Sequence, residues 1–218
     1  MPLVVAGPAA RPAGPRDPLT VHLLDRPGAS QARIQISTPI PDPAHPDHPI
    51  LNQLNTLLGS VQTSRIIVNV RELHGYSYNI SSRLIRRPGS SQWALTADVA
   101  TENTPPALRE IMAELAHVVA EPPTDDELRR FQAFLAGVLV SENATPAGIL
   151  ETLRYFELYG VDAPADRADF VARTRDVLPA DVHRVALTYF QPSSLTIVVV
   201  GDRSALVNQL ASIGRIAD

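Results

Sequence analysis

Apolar residues alternate with polar ones in several stretches of the chain, which is the pattern of strands with one buried face. Residues 19–37 hold two such runs around a Pro-Gly turn signal, and they predict a strand, a turn and a second strand paired as a hairpin. The alternation returns in Tyr76–Ser81 and Gln92–Ala100, which predict a second hairpin. The short apolar run Leu195–Val200 predicts a further strand.

Helical spacing of apolar residues fills most of the remaining chain. A helix is predicted from Asp47 to Gly59, and a second one from Thr63 or Ser64 to just before Gly75. With strands near both ends and helices between them, the pattern predicts an α+β fold with a largely antiparallel sheet. The other predicted helices are Pro105–Ala120, Asp125–Ser141, Pro146–Tyr159, Asp166–Leu178, Pro179–Phe190 and Ser204–Ile213.

Composition narrows the class of protein. The 218 residues suffice for one sizeable domain, which we expect at 19–218, while the proline-rich residues 1–18 predict a linker-like extension. A formal charge of −4 makes nucleic acid and anionic membranes improbable partners. The chain has no cysteine, which excludes disulfides, cysteine-bound zinc and thiol catalysis.

Targeting signals are not evident in the sequence. No stretch approaches the ~18 to 20 apolar residues of a membrane-spanning helix, and residues 1–18 lack the charged start and long apolar run of a signal peptide. The sequence leaves the cellular compartment open, because proteins of several compartments lack cysteine.

The segment RELHGYSY, residues 71–78, carries the candidate chemistry. It places Arg71 near the end of a predicted helix and Tyr78 in the strand that follows Gly75, so the two side chains can converge on one ligand. A guanidinium and a phenol are good donors to a peptide carbonyl or an oxyanion. A structural alternative is that Arg71 complements the negative helix end and that Tyr76 or Tyr78 is a half-buried strand aromatic.

Other polar clusters have ordinary structural explanations. The run His45-Pro46-Asp47-His48 could bind a metal, but the surrounding prolines favour a turn that leads into a helix. His117 and Glu121 are expected at a solvated helix end, and Asp125-Asp126-Glu127 at a helix N-terminus. His74 is expected at the surface, and neither Ser64 nor Ser194 belongs to a recognisable nucleophile arrangement.

A series of landmarks in a fixed order resembles the non-catalytic half of zinc peptidases of the insulinase, pitrilysin and mitochondrial processing peptidase family. The densest stretch is LNTLLGSVQTSRIIVNVRELHGYSYNISS, residues 54–82, and it is followed by PTDDEL at 123–128 and VVVGD at 198–202. Ser60, Ile66 and Leu73 depart from the family pattern, which usually has glycine, leucine and a charged residue there.

The resemblance implies a function that the chain performs only with a partner. None of the six histidines belongs to the H-x-x-E-H zinc motif that the catalytic half carries. We therefore expect a substrate-binding half without a cofactor of its own, inactive alone, that completes a chamber with a zinc-binding H-x-x-E-H domain. In the family, the residues matching Arg71 and Tyr78 hold the peptide backbone opposite the zinc.

The resemblance also implies a sheet packed on one side by several helices. A second hypothesis, from a different class, is an assembly subunit that keeps the fold without a proteolytic role, as in the core subunits of respiratory complexes. The isolated domain could also form a homodimer, because a surface meant for a similar half can pair with itself.

Overall fold

A six-stranded mixed sheet forms the centre of the computed structural model, which describes residues 19–161, 172 and 174–217. The strand order is β3-β4-β2-β5-β1-β6. β1 runs parallel to β5 and β6, whereas the β2–β4, β2–β5 and β3–β4 pairs are antiparallel, which confirms the predicted largely antiparallel sheet. The strands are β1 (Thr20–Asp25), β2 (Gln31–Pro39), β3 (Asn79–Ile85), β4 (Gln92–Ala100), β5 (Thr196–Gly201) and β6 (Arg215–Ala217).

The predicted hairpin between the first two strands is wrong. β5 lies between β1 and β2 and pairs with both, so the turn at Gly28 reverses the chain without pairing its flanking strands. The reason is burial: β5 is apolar on both faces, and a central position shields such a strand better than an edge. The second hairpin is confirmed, because β3 and β4 pair along their length, although β3 begins only at Asn79.

The seven α-helices of the described residues agree with most of the predicted ones. The helix predicted at 204–213 ends at Leu210, and the chain then forms β6, which was not predicted. Gly214 makes this possible, since a Cβ there would lie 2.4 Å from the Leu19 carbonyl oxygen. The helices are α1 (His48–Asn55), α2 (Arg65–Ile67), α3 (Thr104–Ala120), α4 (Asp125–Glu142), α5 (Pro146–Tyr159), α6 (Pro179–Tyr189) and α7 (Arg203–Leu210).

Two predicted features fall outside the described residues. These are the linker-like extension 1–18 and most of the helix predicted at 166–178.

Within the described part, no single helix is long and apolar enough to cross a membrane. Only α4 and α5 taken together have the length and composition, and they meet at a bend of 110°.

One face of the sheet is covered by helices and the other is open, as the family resemblance implied. Buried and exposed residues alternate strictly along β2 and β3, so only one side of each strand contributes to the core. Trp93 of β4 and Phe190 after α6 are almost fully buried and pack edge to face, with ring centroids 5.1 Å apart.

The α1 helix continues through a π-type turn, Thr56–Ser60, that lies against edge strand β3. A Cβ at Gly59 would lie 2.9 Å from the Ser82 hydroxyl oxygen and 3.2 Å from Ser82 Cβ, so this approach requires a glycine. The Ser82 hydroxyl donates to Asn55 Oδ1 over 2.8 Å, which fixes the contact from the other side. The glycine of the LLG landmark therefore seats the helical layer on the sheet edge.

An ion pair joins the start of α2 to the start of α4. Arg65 donates from Nε and Nη2 to the two carboxylate oxygens of Glu127, over 2.7 and 2.6 Å, and both side chains are only 15% exposed. Thr124 caps α4 by accepting from the Glu127 amide. Two sequence landmarks, S-R and PTDDEL, thus meet in one contact.

A buried carboxylate ties the start of α1 to α6. Asp47 accepts hydrogen bonds from Arg184 over 2.6 Å and from the Tyr189 hydroxyl over 2.9 Å. The hydrogen bond from Arg184 is the main reason that the pKa of Asp47 lies below its ordinary value, while burial raises the pKa of Tyr189 to about 12. The turn predicted at residues 45–48 is present, but Asp47 does not cap α1 with its side chain.

The closing VVVGD landmark also has a structural role. A Cβ at Gly201 would lie 2.8 Å from Ala32 Cβ and 2.9 Å from Leu206 Cδ1. Asp202 caps α7 by accepting from the Ser204 amide, and it accepts from the Gly28 amide over 2.8 Å, which fixes the turn after β1.

We expect Glu127→Gln to reduce the free energy of unfolding by about 2 kcal/mol, because it breaks a charge-assisted pair that is mostly shielded from water. Asp126→Asn is the matched control: it makes the same chemical change next door, in an exposed pair with Arg129, and should cost less than about 0.5 kcal/mol. Urea unfolding measures both variants, and equal losses would contradict this role for Glu127.

Asp47→Asn should lower stability by about 2 kcal/mol at pH 7 and flatten its acid dependence. Because folding lowers the pKa of Asp47, its contribution is complete above the ordinary carboxyl pKa near 4 and is lost as pH falls through the folded pKa. Unfolding free energies from pH 7 to pH 3 should therefore converge for wild type and variant. A constant gap across that range would refute the role of the carboxylate charge, and Asp126→Asn serves as the control.

Candidate functional site

The helix that begins as α2 ends in a widened turn that delivers Arg71 to the sheet edge. The turn spans Val68–Leu73, and the Tyr76 amide donates back to the Val70 carbonyl over 2.9 Å. Gly75 has a φ of 65°, in the left-handed region that favours glycine at a helix end. The chain then passes directly into β3, so residues 71 and 78 lie on either side of one tight reversal.

Arg71 and Tyr78 lie in contact, as the sequence predicted. The guanidinium carbon of Arg71 is 4.4 Å from the centroid of the Tyr78 ring, well within the range of a cation–π interaction. Tyr78 is 83% exposed and lies just before β3, so it is not the half-buried strand aromatic of the structural alternative. The structure therefore presents a guanidinium and a phenol side by side at the surface.

Polar neighbours hold the Arg71 side chain. Arg71 Nη1 donates to Gln62 Oε1 over 2.8 Å, and Nε lies 3.1 Å from Glu72 Oε1. The Arg71 side chain is 27% exposed. These contacts engage Nη1 and Nε, and no hydrogen bond from Nη2 to another described residue is present.

The residues on both sides of Tyr78 bond to the neighbouring strand. The Ser77 hydroxyl donates to the Asp98 carbonyl over 2.7 Å, and Asn79 Nδ2 donates to Asp98 Oδ2 over 2.8 Å. Arg33 donates to both carboxylate oxygens of Asp98, and this hydrogen bonding is the main cause of the lowered pKa of Asp98. Within the described residues the Tyr78 hydroxyl has no hydrogen-bond partner of its own.

His74 lies beside the pair, half exposed. Its ring stacks on Tyr76 with centroids 5.1 Å apart and planes 6° from parallel, and its Nε2 lies 4.0 Å from Glu110 Oε2. This packing accounts for His74 as a surface residue, in line with the sequence prediction.

The described residues offer no cluster of three or more His, Cys, Asp or Glu side chains that could hold a metal. His48 is buried, which lowers its pKa to about 3, and its Nε2 accepts a hydrogen bond from Arg86. His117 and Glu121 form an exposed pair 3.7 Å apart at the end of α3. Among the described residues, no set of donors therefore fits a zinc ion.

Sequence reasoning found the central pair but missed the residues that hold it. Gln62 and Asp98 are 9 and 20 positions from the residues they support, and no periodicity links them to Arg71 or Tyr78. The register that sets Asp98 opposite Asn79 appears only in the folded sheet.

The chemistry of the pair is that of hydrogen-bond donation. Arg71 and Tyr78 carry N–H and O–H donors that suit a carbonyl or an oxyanion.

Comparison with known proteins finds a curated relative. A curated relative, an uncharacterized zinc protease of Streptomyces coelicolor, is 28% identical over 186 residues, which is 82% of this chain and 40% of the relative. The chain thus spans less than half the length of that protein.

Solved structures share the fold. A peptidase M16 inactive domain from Pseudomonas fluorescens has a TM-score of 0.77 at 21% identity, and the match covers 84% of this chain and 43% of that one. A protease from Helicobacter pylori has a TM-score of 0.74 at 17% identity and covers 83% and 43%. An inactive peptidase domain from Bordetella parapertussis has a TM-score of 0.67 at 18% identity, with 81% of this chain and 94% of that chain covered.

The family comparison confirms the resemblance seen in the sequence. The model of the peptidase M16 inactive domain matches residues 7–135, more than half of the chain and a range that includes both Arg71 and Tyr78. This chain therefore belongs to the peptidase M16 inactive-domain family.

Proposed function

We propose that this chain is the substrate-binding, non-catalytic half of a zinc metallopeptidase and completes a peptide-cleavage chamber with an H-x-x-E-H domain. The observation that carries the proposal is the contact between Arg71 and the exposed ring of Tyr78 in a chain of the inactive-domain family. Zinc would be held by the partner half. The matched region covers only 40% of the Streptomyces protein, which leaves room for such a half in that relative.

In this proposal, Arg71 and Tyr78 hold the backbone of the peptide. Arg71 Nη2 and the Tyr78 hydroxyl are donors that suit a peptide carbonyl and the oxyanion that forms as it is attacked. The cation–π contact keeps the two donors next to one another, so that one ligand can meet both. Gln62 and Glu72 restrain the guanidinium through its Nη1 and Nε atoms.

The competing hypothesis, an assembly subunit without a proteolytic role, does not require the Arg71–Tyr78 pair. A scaffold needs contact surfaces but no exposed donors at a sheet edge, and Tyr78 buries little of its own surface. A homodimer of the isolated domain stays a prediction that size-exclusion chromatography can check.

The pure chain should show no peptidase activity, because it lacks the H-x-x-E-H motif and the described residues offer no alternative metal cluster. The measurement is cleavage of a quenched fluorescent peptide library with zinc and with a chelator. Cleavage that the chelator abolishes and zinc restores would overturn the assignment as the non-catalytic half.

In the complete protein, with the catalytic half present, Arg71→Ala and Tyr78→Phe should each lower kcat/KM for peptides by about 10² to 10³, the usual cost of losing one oxyanion donor. Arg130→Ala and Tyr76→Phe are matched controls: Arg130 is an exposed arginine on α4, and Tyr76 is a partly buried tyrosine beside the site. Both controls should retain nearly full activity.

Co-purification of the two halves separates the competing hypotheses. If Arg71→Ala and Tyr78→Phe leave the complex intact and abolish turnover, peptide binding is supported. If turnover persists in both variants, the peptide-binding role fails and the assembly hypothesis replaces it.

A further inference from the structure

Apart from its ring contact with Arg71, Tyr78 is held through its neighbours in the chain. Its hydroxyl has no partner in the described part of the chain, and its ring is 83% exposed with Arg71 lying over it. Both flanking residues, however, bond to the same residue of β4: Ser77 to the carbonyl of Asp98, and Asn79 to its carboxylate. The backbone that carries the phenol is thus fixed one residue before and one residue after it.

Asp98 is itself fixed from the opposite side. In the sheet it lies opposite Asn79 of β3 and opposite Arg33 of β2, on the open face. Arg33 donates from Nε and Nη2 to the carboxylate over 2.7 and 2.9 Å, a fork that restricts its rotation. A polar row therefore crosses three strands and ends beside Tyr78.

We propose that Asp98 is a positioning residue for the site: it holds the Ser77–Asn79 segment so that the phenol of Tyr78 stays under the guanidinium of Arg71. Its importance for peptide turnover rests on the proposed function above, whereas its effect on the Tyr78 conformation does not. Asp98 need not touch the peptide.

The location of this row separates positioning from simple stabilisation. The Arg33–Asp98 pair and Asn79 lie on the open face, and exposed polar contacts of this kind contribute little to the free energy of folding. Tyr78 is 83% exposed, so it has little buried surface that would restore its position once these contacts are lost. Removing the Asp98 carboxylate should therefore displace Tyr78 while the fold persists.

The test removes these contacts from both sides. Asp98→Ala removes the carboxylate and its contact with Asn79, and it leaves the backbone carbonyl that accepts from Ser77. Ser77→Ala/Asn79→Ala removes both contacts while leaving the Arg33–Asp98 pair intact. Asp98→Asn should restore much of the effect, because its amide oxygen can still accept from Asn79. Ser81→Ala is the matched control, since it removes a hydroxyl from the exposed face of the same strand.

The first readout is ¹⁹F NMR of the 218-residue chain labelled with 3-fluorotyrosine, in which the signal lost in Tyr78→Phe identifies that ring among the five tyrosines. We expect the Tyr78 signal to move toward its denatured position in Asp98→Ala and in the double variant, with the Tm of Asp98→Ala close to that of Ser81→Ala. An unchanged Tyr78 signal in Asp98→Ala or in the double variant would overturn the inference.

The second readout is peptide turnover by the complete protein. The same variants should lower kcat/KM about 10-fold or more, chiefly through a higher KM, because the donors are present but misplaced. If the Tyr78 signal moves while Arg71→Ala and Tyr78→Phe keep full turnover, the positioning role of Asp98 stands and the proposed function fails. If the signal moves and turnover of the Asp98 variants equals that of wild type although Tyr78→Phe is impaired, Asp98 has no role in positioning for catalysis.

Discussion

The close approach of Gly59 to Ser82 is the contact on which the geometry of the site depends. It brings the turn after α1 against edge strand β3 at a distance at which a Cβ at position 59 would force Ser82 to shift. The helix that begins at Arg65 and continues to Leu73 ends near the first residue of β3, Asn79. Only five residues, 74–78, connect the two elements, and this short link places Tyr78 beside Arg71.

The landmarks that relate this sequence to its family are mostly fold determinants. Arg65 and Glu127 join two helices, and Gly201 permits close packing of β5 against Ala32 and Leu206. Each has a packing or pairing role that would constrain the residue in any protein with this fold. Arg71 and Tyr78 have no such requirement, since Tyr78 is largely exposed and their mutual contact contributes only about 0.5–1 kcal/mol. The fold accounts for the landmarks, whereas the proposed function gives the pair a role that packing does not supply.

The sequence predicted those elements that depend on residues close together in the chain. Apolar periodicity located most helices, and the β3–β4 hairpin followed from alternation around a short turn. The pairing of β1 did not follow, because β5 lies some 170 residues away and no local signal shows that it separates β1 from β2. Likewise, Arg71 and Tyr78 are seven positions apart and were found together, whereas Asp98 joined the site only through strand register.

Both side chains of the pair are accessible to water: Tyr78 is 83% exposed and the Arg71 side chain 27%. At an open surface Arg71 and Tyr78 exchange hydrogen bonds with water, so their attraction for a carbonyl is weak. A second surface closing over the sheet edge would remove that water and strengthen every donor without moving it. Within the proposed function, the chain alone therefore lacks two things: the metal, and the enclosure that gives its donors their strength. Gln62 holds Arg71 by a hydrogen bond, and Asp98 holds the residues on both sides of Tyr78. The donors are therefore already in place before any such enclosure forms.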